Sequence, residues 1–256
     1  VTLMMSKSSN TRIVVSGASG FIGRILVRTL KAGEGTILGV GRSPIANIQV
    51  ERYEDTPDGD VLIHLAENNN RTLTFTDKVS YEEEVLQGLK KITTKGFQKV
   101  VYVSSAIVYG DRSNAPYGIN SPTVATDSYT RAKLACESYV LDAGGVVARL
   151  SNVYGSGMPL GNVVSTILAQ IPDNKLLEVR DDKPVRDFIW VEDVAFALAS
   201  LANMNSNGIY NIGTGVGTKI RDLASIALNC AGKSDRAIVA TNPSDQHSYN
   251  VLDISK

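Results

Sequence analysis

Tyr129 and Lys133 stand four residues apart in Tyr129-Thr130-Arg131-Ala132-Lys133, a spacing that puts both side chains on one face of a helix. A tyrosine ordinarily gives up its proton at about pH 10. A neighbouring ammonium and an oxidised nicotinamide both favour the phenolate and bring that value down. Such a phenol can exchange a proton with a hydroxyl or carbonyl while hydride moves to or from the nicotinamide. Taken alone, the pair is common on solvated helix faces. A third group changes its meaning. Val101-Tyr102-Val103-Ser104-Ser105 reads as the end of a sheet strand, and the carboxyl ends of such strands line the ligand crevice of an α/β sheet. A Ser105 hydroxyl there can hold a reacting oxygen beside Tyr129.

A second constellation lies near the start of the chain. Gly17, Gly20 and Gly23 fall in Val14-Val15-Ser16-Gly17-Ala18-Ser19-Gly20-Phe21-Ile22-Gly23, between a strand and an amphipathic helix. Glycine permits the tight turn and close backbone approach that a pyrophosphate needs. The helix start adds free N–H groups and the positive end of a dipole. The spacing is GxxGxxG rather than GxGxxG, and the GK[ST] ending of an ATP-binding P-loop is missing. The second strand ends Val40-Gly41-Arg42-Ser43, without the acidic residue that binds the ribose 2′-OH in NAD-specific folds. The Arg42 guanidinium could instead grip the 2′-phosphate of NADP, or it is an exposed surface arginine. NADP is the favoured cofactor on this ground, with NAD the alternative.

The elements that must position these groups follow from periodicity. Arg12–Ser16, Thr36–Val40, Val61–Leu65, Val100–Ser104 and Val146–Leu150 read as strands. Their near-continuous apolar runs suit a parallel sheet covered on both faces. Ile22–Leu30, Glu82–Lys95 and Tyr129–Ala143 carry helical stripes, with Gly33 placed to stop the first and Glu82–Glu84 reading as a solvated helix start. This alternation predicts an α/β fold with a Rossmann-type, doubly wound parallel sheet. After Leu150 the rhythm loosens. A strand near Phe188–Val191, a helix over Val194–Asn203, a strand at Ile209–Ile212 and a helix over Lys219–Ala231 predict a small C-terminal substrate-binding lobe. In this reading residues 1–11 are a flexible tail and 12–256 form one unit. Within it, about 12–155 mainly bind the dinucleotide, and about 156–256 form a lobe interleaved with the sheet.

Bulk properties narrow the function classes. The 256 residues are 43% hydrophobic and 20% charged, ordinary for a soluble globular chain. Lys plus Arg and Asp plus Glu balance at 26 each, which argues against a nucleic-acid partner. No apolar run reaches the roughly 18 residues of a membrane span. The polar opening segment has no signal-peptide h-region, and a chain opening on Val is expected to be a fragment or to use a non-standard start codon. The distant Cys136 and Cys230 give no disulfide framework, so a cytoplasmic location fits. His64 and His247 form no metal-ligand cluster, and His64, inside an apolar strand, reads as a core residue.

With glycine turn, strand-end serine and YxxxK in this order, the chain resembles the extended short-chain dehydrogenase/reductases, and more closely the NAD-dependent epimerase/dehydratase family of nucleotide-sugar enzymes. Ile63-His64-Leu65-Ala66, Ser104–Gly110, Arg149–Gly155, Arg186–Val194 and Tyr210–Gly215 carry the resemblance further. It implies that Gly17, Gly20 and Gly23 cradle the pyrophosphate, with Phe21 and Ile22 offering backbone N–H groups. Leu65 and Ala66 would line the cofactor crevice. Ser105 would orient the reacting oxygen, Tyr129 act as acid/base and Lys133 bond the nicotinamide ribose. Asn152 and Arg186 match positions that contact the nucleotide-sugar substrate, Arg186 near its diphosphate. A loop cap and a structural salt bridge are the bland readings of those two. Relatives form homodimers through the helices matching Glu82–Lys95 and Tyr129–Ala143.

The chain also departs from the family. Dehydratases carry an Asp-Glu pair directly after the catalytic Ser/Thr; here Ala106 and Ile107 stand there, which disfavours 4,6-dehydration. Two reactions at C4 of a nucleotide-activated sugar remain. An NADPH-dependent 4-keto-sugar reductase is slightly favoured by Arg42; a 4-epimerase with tightly bound NAD is the alternative. A non-catalytic NAD(P)-binding regulator and a reductase of a non-sugar carbonyl rank below both. Only 17 residues, Ser43 to Gly59, precede the next clear strand, so the family's third helix is expected to be missing or reduced. The chain stops where relatives begin another helix, so the substrate lobe is expected to be truncated or small.

Overall fold

The computed structural model describes residues 11–67 and 78–256; most of the tail expected at 1–11 lies outside them. The first elements are β1 (Arg12–Ser16), α1 (Phe21–Lys31), β2 (Thr36–Gly41), β3 (Ile48–Gln49), β4 (Val61–His64), α2 (Lys78–Thr93), β5 (Lys99–Ser105), α3 (Ser128–Asp142) and β6 (Val146–Leu150). There follow β7 (Asn152–Tyr154), α4 (Val163–Ala169), β8 (Leu177–Val179), β9 (Val185–Trp190), α5 (Val191–Asn203) and β10 (Gly208–Ile212). The chain closes with β11 (Gly217–Lys219), α6 (Ile220–Cys230), β12 (Ile238–Ala240) and β13 (Tyr249–Asn250).

Two compact units share this chain. The first comprises Val1–Ser105, Ala125–Arg149 and Glu192–Tyr210; the second comprises Ala106–Val124, Leu150–Val191 and Asn211–Lys256. In the first, a seven-stranded sheet runs in the order β10-β6-β5-β4-β1-β2-β3. The pairs β1–β2, β1–β4, β4–β5 and β2–β3 are parallel. Strand order moves outward in opposite directions from β1 and β4. Their carboxyl ends form the topological switch point where open α/β sheets bind ligands. Every residue of β4 and of β6 is buried, which is why both read as near-continuous apolar runs, broken only by His64 and Arg149. Val14, Leu62 and Val147 of the sheet pack with Leu89 and Ile92 of α2 and Cys136 of α3.

Local chemistry sets the helix limits. α1 starts after Gly20 without a side-chain cap, and Arg28 and Lys31 favour its negative end. It stops at Lys31, where the Gly33 N–H bonds the Leu30 carbonyl. The left-handed residue of that connection is Gly35, with φ of 117°, rather than Gly33. α2 and α3 are tied by an ion pair between Arg131 and Glu82 and by Thr93 Oγ1 and Tyr139 Oη at 2.8 Å. Between Gly41 and Val61 the chain makes only the two-residue β3 and a 3-10 turn at Tyr53–Asp55. No α-helix occupies that stretch, as the short spacing implied.

The second unit has its own core, built from Ile167 of α4, Leu177 and Val179 of β8 and Ile220, Ala224 and Leu228 of α6. β9 pairs antiparallel with β11 and parallel with β7 and β13. The chain is therefore an α/β Rossmann-type sheet with a smaller set of later strands and helices.

Candidate active site

The turn after β1 is built as its glycines imply. Gly17 has φ of 74°, and a Cβ on it would stand 3.0 Å from the Ala66 nitrogen and 3.0 Å from the Leu65 carbonyl carbon. Backbone thus meets backbone where β1 and β4 end. The Gly20 N–H closes the turn on the Gly17 carbonyl at 2.9 Å. Phe21 and Ile22 follow in the first turn of α1, whose leading N–H groups have no intrahelical partner. This cradle fits the phosphates of a dinucleotide: small, backbone-lined, and facing an uncapped helix start.

Ser16 holds the neighbouring strand end in place. Its Oγ accepts from the Leu65 N–H at 3.2 Å and the Ala66 N–H at 3.4 Å. The same Oγ shares a hydrogen bond with His64 Nδ1, 2.8 Å away. His64 is buried. Burial, only partly opposed by the charge of Glu67 and aided by that of Lys133, pulls its pKa down to about 4. It is a neutral core group, as its apolar strand suggests.

Tyr129 and Lys133 are set by the start of α3. Asp127 caps the helix: its Oδ1 accepts from the Thr130 N–H at 2.7 Å, and Thr130 Oγ1 accepts from the Asp127 N–H at 3.0 Å. This reciprocal box starts the helix at Ser128 and fixes the half-buried Tyr129 in its first turn. One turn on, Lys133 is buried. Its ammonium lies 5.7 Å from the Tyr129 ring centre and donates to the Val103 carbonyl of β5 at 2.8 Å. Ser105 ends β5 and is half-buried. Lysine, tyrosine and serine thus come from α3 and β5, adjacent elements of one unit.

Two members of this cluster were not singled out from the sequence. The Glu67 carboxylate meets the Lys133 ammonium at 2.6 Å, with both side chains buried, and accepts from Tyr102 Oη at 2.5 Å. Burial alone would push the Lys133 pKa down, but Glu67 and Tyr129 outweigh it and hold it above the usual lysine value. Tyr102 is pushed well up, first by burial and then by Glu67. The available signal was an acid placed directly after the apolar run Val61–Ala66, at the carboxyl end of a buried strand.

The remaining sequence candidates have other partners. Arg42 follows β2, exposed; its carbonyl accepts from Gln49 Nε2 at 3.1 Å. In the second unit Asn152 Nδ2 donates to the Asp187 carbonyl at 3.0 Å. Arg186 donates to Ser248 Oγ at 2.7 Å and to the Val185 carbonyl at 2.8 Å, and lies 3.4 Å from Asp111 Oδ2. Among the described residues no group of histidine, cysteine or acidic side chains could hold a metal ion, and no helix is long and apolar enough to cross a membrane.

The family model for the NAD dependent epimerase/dehydratase family matches residues 13–213. The chain belongs to this family. It is 25% identical to a UDP-glucose 4-epimerase of Azospirillum brasilense over 91% of its length and 81% of that protein's. It is 28% identical to a putative UDP-glucose 4-epimerase of Methanocaldococcus jannaschii, covering 95% and 90%. Among solved structures it resembles RMD from Pseudomonas aeruginosa complexed with NADPH, with a TM-score of 0.82, 27% identity and coverage of 94% and 89%. A UDP-N-acetylglucosamine 4-epimerase from Methanobrevibacter ruminantium shares the fold at a TM-score of 0.84, with 21% identity and coverage of 96% and 90%. Members of this family are NAD(P)-dependent enzymes acting on nucleotide sugars, and the chain is an enzyme of that class.

Proposed function

We propose that this enzyme is a nucleotide-sugar 4-epimerase that keeps NAD bound through its turnover. The observation that carries the reading is the buried Lys133 ammonium 5.7 Å from the Tyr129 ring, on a helix whose start is fixed by Asp127. The two curated relatives named as epimerases, matched nearly end to end, support it over the reductase that Arg42 favours.

Gly17, Gly20 and Gly23, with the Phe21 and Ile22 N–H groups, hold the pyrophosphate. Leu65 and Ala66 line the crevice, and Lys133 bonds the nicotinamide ribose. When bound, the nicotinamide supplies the acceptor and then the donor of hydride at C4. Ser105 orients the C4 oxygen. Tyr129 Oη takes the proton from the C4 hydroxyl as the sugar is oxidised and gives it back once the ketone has turned its other face. Asn152 and Arg186 serve the nucleotide and its diphosphate. No carboxylate stands at Ala106 or Ile107, so elimination of water is not part of the reading. Residues to about 155 mainly carry the dinucleotide and those beyond carry the sugar. The enzyme works in the cytoplasm as a homodimer joined through α2 and α3, which gel filtration at micromolar concentration tests.

The experiment is turnover of UDP-glucose by the purified protein without added dinucleotide, followed by NMR, with Tyr129→Phe beside it. The reading expects the C4 epimer to form and Tyr129→Phe to lower kcat by about a hundredfold or more. A need for one NADPH per sugar, or an unimpaired Tyr129→Phe, overturns it. One observation favours the reductase: Arg42 is exposed at the end of β2, where no acid is present, and an NADPH-bound structure is among the relatives. That reading expects Arg42→Ala to weaken NADPH by more than about tenfold and NAD hardly at all.

A further inference from the structure

Glu67 is a buried carboxylate inside the catalytic cluster, and no step above uses it. It reaches Lys133 Nζ at 2.6 Å and takes a hydrogen bond from Tyr102 at 2.5 Å. Lys133 also lies 5.0 Å from the Tyr102 ring centre and 5.7 Å from that of Tyr129. The lysine is therefore clasped between the end of β4 and the middle of β5. We propose that Glu67 is a positioning residue that holds the Lys133 ammonium and cancels much of its charge toward Tyr129. The proposal rests on the reading of Tyr129 and Lys133 as the proton-transfer pair.

The physical argument concerns charge balance. An ammonium near a phenol favours the phenolate, and a carboxylate opposes it. Inside a protein each is felt over several ångströms. An unpaired Lys133 would present its full charge to Tyr129. With Glu67 against the ammonium, Tyr129 faces a nearly neutral pair. The other titratable groups near the pair leave this balance in place. Tyr81 of α2 and Cys136 of α3 are each pushed up to about 12, first by burial and then by Glu67. His64 of β4 is held neutral near pH 7, and Tyr102 of β5 keeps its proton. Glu137 is paired with Arg149 and Glu82 with Arg131, which leaves Glu67 and Lys133 as the charged pair at the centre of the cluster. The arrangement keeps Lys133 charged and aimed at Tyr129, with the paired carboxylate offsetting part of the ammonium's field there.

The test is the ionisation of Tyr129 in the full chain, read at 295 nm as the difference between the protein and its Tyr129→Phe counterpart in each background. It needs no sugar and no hydride transfer, so it can fail or succeed independently of the epimerase reading. Glu67→Gln is expected to lower the Tyr129 midpoint by about one pH unit, and Glu67→Asp to return it toward the original value. Glu67→Gln leaves a buried ammonium unpaired, which can cost the fold. The second arm therefore removes both charges. Lys133→Met alone is expected to raise the midpoint by about one unit, and Lys133→Met with Glu67→Gln to bring it back to within about half a unit of the starting value. A midpoint that Glu67→Gln leaves unmoved or raises, or a double variant that titrates like Lys133→Met alone, overturns the proposal.

Discussion

Gly23 presents its Cα so closely to the carbonyl oxygen of Gly17 that a Cβ in its place would stand 2.1 Å from that oxygen. The glycine in α1 therefore serves the seating of the helix on the turn, while Gly17, left-handed, shapes the turn itself. Gly20 is different: its Cβ would meet the same oxygen at 3.2 Å. Since neither side of the Gly23 contact can yield without moving backbone, Gly23→Ala is expected to cost at least about 2 kcal/mol and to weaken dinucleotide binding. Gly20→Ala is expected to cost less than about 1 kcal/mol. Urea unfolding of the two variants beside the parent checks the order. Equal losses would mean that the helix is free to shift on the turn.

Much of this was legible in the sequence, for physical reasons that differ by residue. Gly17, Gly20 and Gly23 were readable because a turn that must bring backbone to backbone tolerates little else. Tyr129 and Lys133 were readable because helical spacing alone puts them on one face. Leu62 and Val147 were readable because strands buried on both faces carry no polar alternation. Glu67 was not, since its meaning depends on Lys133 arriving from sixty-six positions further along. A lobe interleaved with the sheet was expected, but not its crossing points: Ala106–Val124 belongs to the second unit and Glu192–Tyr210 to the first, and local periodicity holds no record of either crossing.

Glu137 and Arg149 make a second buried ion pair, one turn along α3 from Lys133. Arg149 Nη2 lies 2.5 Å from Glu137 Oε2, with both side chains almost fully enclosed, and Ser104 Oγ donates to Glu137 Oε1 at 2.5 Å. This pair fastens α3 to β6 and β5. Removing one partner strands the other charge in the core, so Glu137→Gln is expected to destabilise the protein by about 3–5 kcal/mol. Glu137→Leu combined with Arg149→Met leaves no stranded charge and is expected to cost much less. Chemical denaturation of the three proteins distinguishes the cases. A double variant as weak as the single one would show that the pair contributes net stability.

His64 gives the fold an acid limb. Folded, it stays neutral until about pH 4; unfolded, it takes its proton at the ordinary 6.5. The unfolded chain then binds more protons throughout that interval, and stability falls as pH drops from about 6.5 toward 4. The contribution at stake is roughly 3 kcal/mol, present in full above the upper limit and lost below the lower one. His64→Gln, which does not titrate, is expected to flatten this part of the profile. Unfolding free energies at pH 7, 5.5 and 4.5 read the slope, and parallel profiles for parent and variant would remove His64 as its source.

Asp187 shows what the strand next to Arg186 is for. Arg186 and Asp187 are successive residues of β9, so their side chains leave the strand on opposite faces. Arg186 reaches Ser248, whereas Asp187 is fully buried. Its carboxylate accepts from the Thr214 N–H at 2.9 Å, Thr214 Oγ1 at 2.7 Å and the Gly215 N–H at 3.0 Å. Gly213 belongs to the same lock, because a Cβ there would stand 2.4 Å from Asp187 Oδ2. Charge-assisted bonds to backbone N–H groups are the stronger kind, and their loss would free the turn that these three bonds now hold to β9. Asp187→Ala is accordingly expected to lower stability by about 3 kcal/mol or more. Asp187→Asn, which keeps one acceptor oxygen, is expected to lose less. Hydrogen exchange locates the effect: the Thr214 and Gly215 amides should lose protection in Asp187→Ala while the β4 and β6 amides keep theirs. Uniform loss across both units would show instead that Asp187 supports the whole fold rather than this turn.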